Sequence, residues 1–216
     1  VAVCSGLAVV VPALAGATSS PLYARLFCVS VLGFVAVFFL VRRGSGVRVV
    51  APVLAALAAA AALLGLYPFD GEITEVIAVA HVVVALWIVA GVAYVDGRWR
   101  SSRRRMDFLR FSGEWYVYMA LLALGGGALL GITVGVFAAV DIDATPFIQH
   151  VALPGGFAGA TVIAAWLVEA KQGVIENIAP VLTRLFTPLF AALLLALVAA
   201  GVVQRDVVGS DRELLI

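Results

Sequence analysis

Charged residues are scarce in this sequence: Asp, Glu, Lys and Arg together make up 12% of its 216 residues, whereas 64% are apolar and the mean hydropathy is +1.14. An ordinary soluble domain is about half apolar and about a quarter charged, so this chain cannot give a compact fold a water-soluble surface. This scarcity excludes a soluble enzyme, a nucleic-acid-binding domain and a disulfide-stapled secreted domain. A helix needs roughly 20 apolar residues to cross a bilayer, and the chain has enough of them for at most about seven such helices.

Motifs for cofactor binding and catalysis are also missing. The sequence has no Walker loop, no GxSxG elbow and no glycine pattern for a dinucleotide. Its two cysteines, Cys4 and Cys28, lie in apolar surroundings without ligand spacing, so we interpret them as small apolar core residues. We therefore predict no cofactor and no catalytic residues.

The apolar residues fall into seven runs of membrane length, which predict an all-α, polytopic transmembrane helix bundle forming one domain over residues 1–216. The runs are residues 1–17, 22–41, 48–67, 75–95, 115–140, 149–168 and 179–203. The chain begins at Val1 without a methionine, and its last residues read like the start of another segment. We therefore expect it to be part of a longer protein.

Basic residues alternate between the predicted loops, which indicates an orientation because Lys and Arg are retained on the cytoplasmic side. Arg42, Arg43 and Arg48 follow the second span, whereas the next loop carries acidic residues. This alternation predicts a plasma-membrane protein with the N-terminal end of the chain in the cytoplasm. The longest connection, residues 96–114, contains the topology anchors Arg98, Arg100, Arg103, Arg104, Arg105 and Arg110. It is too short and too closely flanked by spans for nucleic acid, but it suits anionic lipid headgroups.

The fifth span contains Gly127, Gly131 and Gly135 at intervals of four residues. This spacing puts the three glycines on one helical face, where another helix can approach closely. We predict close packing centred on this span, with the alanine-rich third span as a partner, or a homo-oligomer or partner subunit assembled on the same face. The alternative is a flexible hinge.

Two features predict a pathway for a solute. Pro154, followed by Gly155 and Gly156, favours a broken or kinked sixth span, because proline removes a backbone donor. An ordinary kink or a late helix start is the alternative. His81 lies about two turns inside the fourth span and is the one candidate for a titrating group there. Its alternative role is a hydrogen bond between packed helices.

The densest polar cluster near the membrane lies around the connection between the sixth and seventh spans. Glu169 and Glu176 flank this connection together with Arg184, and we predict that Arg184 pairs with one of the two carboxylates. The alternative is a solvated helical hairpin in which Arg184 extends to the interface. On the other side of the membrane, Asp141, Asp143 and His150 lack the fixed spacing of a metal site, so we predict no bound metal.

Three stretches resemble an uncharacterised family of bacterial multi-pass membrane proteins, some of whose members are labelled permease-like by association. The stretches are Phe111-Ser112-Gly113-Glu114-Trp115-Tyr116, the glycine-rich fifth span, and residues 166–184 with Trp166, Glu169, Glu176, Pro180 and Arg184. The resemblance covers roughly the C-terminal half. It implies a helical bundle that continues beyond Ile216, and it supplies no binding or catalytic residues.

These observations predict a permease-like domain that moves a small solute. The alternative is a non-transporting structural or sensory subunit that assembles through the glycine face. A third possibility, an intramembrane enzyme acting on lipid, requires a paired acid and base, which only the cluster of Glu169 and Glu176 approaches.

Overall fold

The computed structural model describes residues 1–16, 20–69, 71–138, 141–170 and 178–204. It is 88% helix, and these ranges contain no strand, so the all-helical prediction is confirmed. The helices are α1 (Ala2–Leu14), α2 (Pro21–Arg43), α3 (Val47–Leu66), α4 (Glu72–Tyr94), α5 (Ser102–Ala138), α6 (Thr145–Phe147), α7 (Leu153–Ala170) and α8 (Ile178–Gln204). A π-helical turn, Ile148–Ala152, joins α6 to α7.

Within the residues that the structure describes, five helical segments are long and apolar enough to cross a membrane: α2, α3, α4, α5 and the continuous segment Thr145–Ala170. Helix α1 and the apolar part of α8, Phe186–Ala199, are shorter. The chain is therefore a multi-pass membrane protein by the length and composition of its helices. The predicted total of seven spans stays a prediction, since α1 and the apolar part of α8 fall short of the roughly 20 residues that a crossing requires.

The bundle has two chemically different ends. At the arginine-rich end, α2 and α4 finish and α3 and α5 begin, next to Arg42, Arg43, Arg48 and Arg98. At the acidic end, α3 and α5 finish and α4 begins with Glu72 and Glu75 in its first turn. Acidic residues in the first turn of a helix interact favourably with its dipole, so Glu72 and Glu75 also help to start α4.

Helix α5 begins 13 residues before the predicted fifth span, at Ser102 rather than at residue 115. The predicted long connection is therefore wrong, and α4 is joined to α5 by residues 95–101 alone. The reason lies in Phe108 and Phe111, which are buried and repeat at helical spacing with the partly buried Trp115. Because these rings pack into the bundle, the arginine-rich stretch before them is held as helix.

The close packing predicted on the fifth span lies instead on other helices. In the segment Thr145–Ala170, 44% of the residues in an apolar 18-residue stretch are buried, whereas the corresponding value in α5 is 6%. The main buried cluster joins α2, α4, α7 and the first half of α5. Small residues explain this difference, because Ala158, Ala164 and Ala165 of α7 are completely buried and let neighbouring helices approach.

Helices α1 and α7 pack closely against each other. A Cβ atom added to Gly155 would collide with the Cγ2 atom of Val10, and one added to Gly6 would lie 3.4 Å from the carbonyl oxygen of Gly155. The Ser5 hydroxyl donates a hydrogen bond of 3.1 Å to the carbonyl oxygen of Ala158. Gly155 and Gly159 thus form the small-residue face that the bundle uses internally.

Candidate functional site

A partly buried ion pair connects α2 to α7 at the arginine-rich end. The Nη2 atom of Arg43 donates to Oε1 of Glu169 at 2.9 Å, and the Glu169 side chain is only 4% exposed. The Nε atom of Arg43 donates to the carbonyl oxygen of Tyr94 at 3.1 Å, and its guanidinium lies 4.7 Å from the centre of the Tyr94 ring. We call this arrangement the inner clamp, because it joins α2, α4 and α7 through one arginine.

Aromatic rings surround the inner clamp on the bundle side. The Tyr94 ring packs edge-on against Phe39 at a centroid distance of 5.2 Å and lies 5.0 Å from Phe111. Two indoles then tie α5 to its neighbours: Trp87 donates to the hydroxyl of Ser112, and Trp115 donates to the carbonyl oxygen of Thr161. The Tyr94 ring that Arg43 contacts therefore packs against an apolar aromatic cluster inside the bundle.

A second ion pair lies at the acidic end and connects α2 to α4. The Nε and Nη2 atoms of Arg25 donate to the two carboxylate oxygens of Glu75 at 2.8 and 2.7 Å. The Arg25 guanidinium also lies 4.8 Å from the centre of the Phe69 ring. This bidentate pair, which we call the outer clamp, has the geometry in which arginine and carboxylate bind most strongly.

Helix α2 carries the arginine of both clamps. Arg25 and Arg43 lie 18 positions apart, which corresponds to about 27 Å along a helix and approaches the thickness of the hydrocarbon core. The two arginines bind different helices, α4 at one end and α7 at the other. A movement of α2 relative to its neighbours therefore requires at least one clamp to open.

The predicted polar cluster is only partly described. Glu169 pairs with Arg43, whereas Arg184 is exposed on α8 and makes no salt bridge with Glu169 in the described part of the chain. Glu176 lies outside the described residues. Sequence reasoning missed Arg43 as the partner because it was counted among the residues that set the orientation. Its position in the last turn of a span, beside Arg42, was the available signal.

The two predicted pathway residues lie apart. His81 is exposed on the surface of α4, and its Nδ1–H donates to the carbonyl oxygen of Ile77 at 2.7 Å within the same helix. Pro154 is buried at the start of α7, directly after the π-helical turn. The helical path thus continues through Pro154, and its irregularity is a widened turn rather than a break.

The predicted glycine face is open. Gly127, Gly131 and Gly135 are exposed, and no described atom lies within 4 Å of a Cβ added at any of them. Among the glycines of α5, Gly125 is the one whose added Cβ would collide with a ring, that of Phe186 in α8. Packing against α3 is therefore not observed for the glycine face, and packing against a second chain stays a prediction.

The predicted topology anchors are used in different ways. Arg105 donates to the carbonyl oxygens of Trp99 and Arg100 and so closes the turn before α5. Arg98 lies 3.8 Å from a carboxylate oxygen of Asp96, whereas Arg100 and Arg103 are exposed and Arg104 is partly exposed. Binding of anionic lipid by this loop stays a prediction.

No group of three or more His, Cys, Asp or Glu side chains within the described ranges is arranged to hold a metal ion. At the acidic end, Asp143 accepts a hydrogen bond of 2.9 Å from the backbone N–H of Thr145. Hydrogen bonds from Thr145 lower the pKa of the Asp143 carboxyl. His150 donates from Nδ1 to the carbonyl oxygen of Pro146 and is exposed, so these side chains serve the local structure of the loop and α6.

Comparison with protein-family models, with curated proteins and with solved structures found no match.

Proposed function

We propose that this chain is a permease-like membrane domain that moves a small solute and that its two clamps are the gates. The observation that supports this proposal is the pair of arginines at opposite ends of α2, each bound to a different helix. Transporters alternate between states that open to one side at a time, and such a cycle needs contacts at both ends that open in turn. The arginine-rich end is the cytoplasmic end in this proposal, because basic residues are retained there.

The proposed cycle uses the chemistry of the clamps. Each Arg–Glu pair keeps its end of α2 closed while it is formed, and solvation of the two charges by water replaces the pair when that end opens. The π-helical turn before Pro154 supplies a second feature of such proteins, because these turns occur frequently at functional positions in helices. Helix α7, which carries both Pro154 and Glu169, would then move relative to α2.

This proposal predicts reciprocal changes in water access along α2. The background is a chain whose Cys4 and Cys28 are changed to serine. A single cysteine then replaces either Leu32, seven residues after Arg25, or Ala36, seven residues before Arg43; both side chains are buried. In Glu75→Gln, labelling of position 32 should rise about fivefold and labelling of position 36 should fall. In Glu169→Gln, labelling of position 36 should rise and labelling of position 32 should fall. A partly buried pair worth about 1 kcal/mol shifts a two-state equilibrium by about this factor.

Labelling is measured with a membrane-impermeant thiol reagent in sealed vesicles of both orientations. Glu114→Gln is the matched control, since it removes the Arg110–Glu114 pair, which lies within α5 and joins no two helices. If each clamp variant changes labelling only at the reporter nearer to it, the clamps are structural contacts that take no part in a conformational cycle. The gate proposal is then wrong. Unchanged labelling at both positions would have the same meaning.

The open glycine face favours a second candidate function, that of a structural or sensory subunit assembling through α5. Gly127, Gly131 and Gly135 leave an exposed strip of backbone on a helix that is scarcely buried in its own bundle. A strip of this kind lets a second helix approach closely, and van der Waals packing is a main source of helix association in lipid. A second copy of the chain or a partner subunit would supply that helix.

This candidate predicts that Gly131→Leu abolishes association, because a leucine side chain would hold a second helix away from the strip. Gly126→Leu is the matched control: Gly126 lies on another face of α5 and also has no described atom near an added Cβ. Chemical crosslinking in membranes and the mass of the detergent-solubilised particle measure the outcome. Equal association of the wild type and Gly131→Leu would exclude assembly through this face.

A further inference from the structure

A groove opens on the surface of the bundle at the arginine-rich end, between α1, α2 and α7. Its volume is about 350 Å³, within the roughly 300–1,000 Å³ typical of ligand pockets. Val1 and Ala2 form one wall, and the other lining side chains are Phe38, Val41, Arg42, Val162, Ile163 and Trp166. The lining side chains are thus apolar apart from one that is charged.

That charge is Arg42, and it differs from its neighbour in the chain. Arg43 turns towards the bundle and binds Glu169, whereas Arg42 is exposed and lines the groove. Consecutive residues point about 100° apart on a helix, which explains how adjacent arginines serve two sites. In the described part of the chain Arg42 makes no ion pair and no hydrogen bond, and no acidic residue lines the groove. The guanidinium is therefore available to an anion.

The apolar walls and the single charged side chain of the groove match the two parts of a phospholipid, its acyl chain and its phosphate. A hydrocarbon chain suits the walls formed by Phe38, Val41 and Ile163, and a phosphate suits a guanidinium, which offers donors in the fork that phosphate oxygens accept. Trp166, which is 54% exposed, lies in the same lining, and tryptophan is enriched at the depth of the headgroups. A soluble anion would use the arginine but leave the apolar walls in contact with water.

The geometry points to a binding site for one anionic phospholipid, with an acyl chain in the groove and the phosphate on Arg42. This site is separate from the loop of Arg98 to Arg110, whose arginines lie in the turn before α5 and along its first turns. It also does not depend on transport, since a bound lipid would fill the contact of α1 with α2 and α7 in either proposed function. The ligand class is a lipid of net negative charge from the leaflet at the arginine-rich end.

The test is native mass spectrometry of the full chain in detergent, with phosphatidylglycerol and phosphatidylcholine of identical acyl chains. The first phosphatidylglycerol should bind at least about fivefold more tightly than the first phosphatidylcholine, because one arginine near an anionic headgroup contributes about this factor. Arg42→Gln should remove most of that preference. It should weaken phosphatidylglycerol, whose headgroup has a net negative charge, more than phosphatidylcholine, whose ammonium group offsets the same phosphate. Val41→Phe, which places a ring in the groove, should weaken the binding of both lipids.

Two matched variants separate this site from general electrostatic attraction. Arg48→Gln removes an exposed arginine from the same end without altering the groove, and Arg103→Gln removes one from the loop. Both should retain the preference for the first phosphatidylglycerol. The assignment is overturned if Arg48→Gln or Arg103→Gln acts like Arg42→Gln, if the wild type binds both lipids equally, or if Val41→Phe changes neither.

Discussion

Replacing Arg43 with methionine is expected to destabilise the folded bundle by about 3–5 kcal/mol, because it leaves the Glu169 carboxylate buried without a partner. Glu169 is 4% exposed, and Arg43 supplies its salt bridge in the described part of the chain. The same change removes the hydrogen bond to the carbonyl oxygen of Tyr94 and the contact with the Tyr94 ring. Equilibrium unfolding of the purified protein in mixed micelles measures this loss.

The control variants distinguish a lost pair from lost packing. Glu169→Gln should cost less, since Arg43 is 26% exposed and can extend its charge to water. In the double variant Arg43→Met/Glu169→Leu, both charges are gone, and stability should recover most of the way towards the wild type. A double variant as unstable as Arg43→Met alone would show that the tyrosine contacts, and not the buried carboxylate, determine the stability of this end.

Replacing Gly155 with alanine is expected to destabilise the contact of α1 with α7 by about 1–3 kcal/mol, the range for overfilling a packed interface. The added Cβ would collide with Cγ2 of Val10, and valine in a helix has one strongly preferred rotamer, so it cannot turn away. Separation of the helices would also lengthen the hydrogen bond from Ser5 to Ala158. The measurement is again the free energy of unfolding in micelles.

Gly156→Ala provides the matched control one position along the same helix. No described atom lies within 4 Å of a Cβ added at Gly156, so alanine there should be neutral or slightly stabilising, as glycine is a poor helix former. Val10→Ala combined with Gly155→Ala should restore much of the lost stability, because it removes the colliding methyl group. If Gly155→Ala and Gly156→Ala behave alike, the contact of α1 with α7 is looser than the structure indicates.

The fold was predictable from the sequence where hydropathy determines it. The bounds of α2, α3 and α4 agree with the predicted runs within three residues, since each run is largely apolar and is flanked by polar or turn-forming residues. Helix α5 began earlier than predicted because arginines interrupt the hydropathy of its first turns, while Phe108 and Phe111 hold them against the bundle. Burial of aromatic residues decides that boundary, and hydropathy averaged along the chain does not record it.

The candidate site was less predictable because pairing between distant helices leaves no mark in a single sequence. Glu169 was selected for its place near a membrane boundary, but its partner lies 126 positions earlier. The glycines show the same limit. Gly127, Gly131 and Gly135 repeat more regularly in the sequence than Gly155 and Gly159 do. It is nevertheless Gly155 and Gly159 that face α1 inside the bundle. Spacing identifies a face that permits close approach, and only the arrangement of the helices decides which face is used.

The contact between α1 and α7 has a consequence for the order of assembly during synthesis. Ser5 and Ala158, joined by a hydrogen bond, lie 153 positions apart, so α1 emerges from the ribosome long before its main partner exists. Until the segment that contains Gly155 has been translated, Ser5 and Gly6 of α1 lack the backbone that they contact in the finished bundle. The contact of α1 with α7 therefore forms late in the assembly of the bundle, and the helices between them are made before it can close.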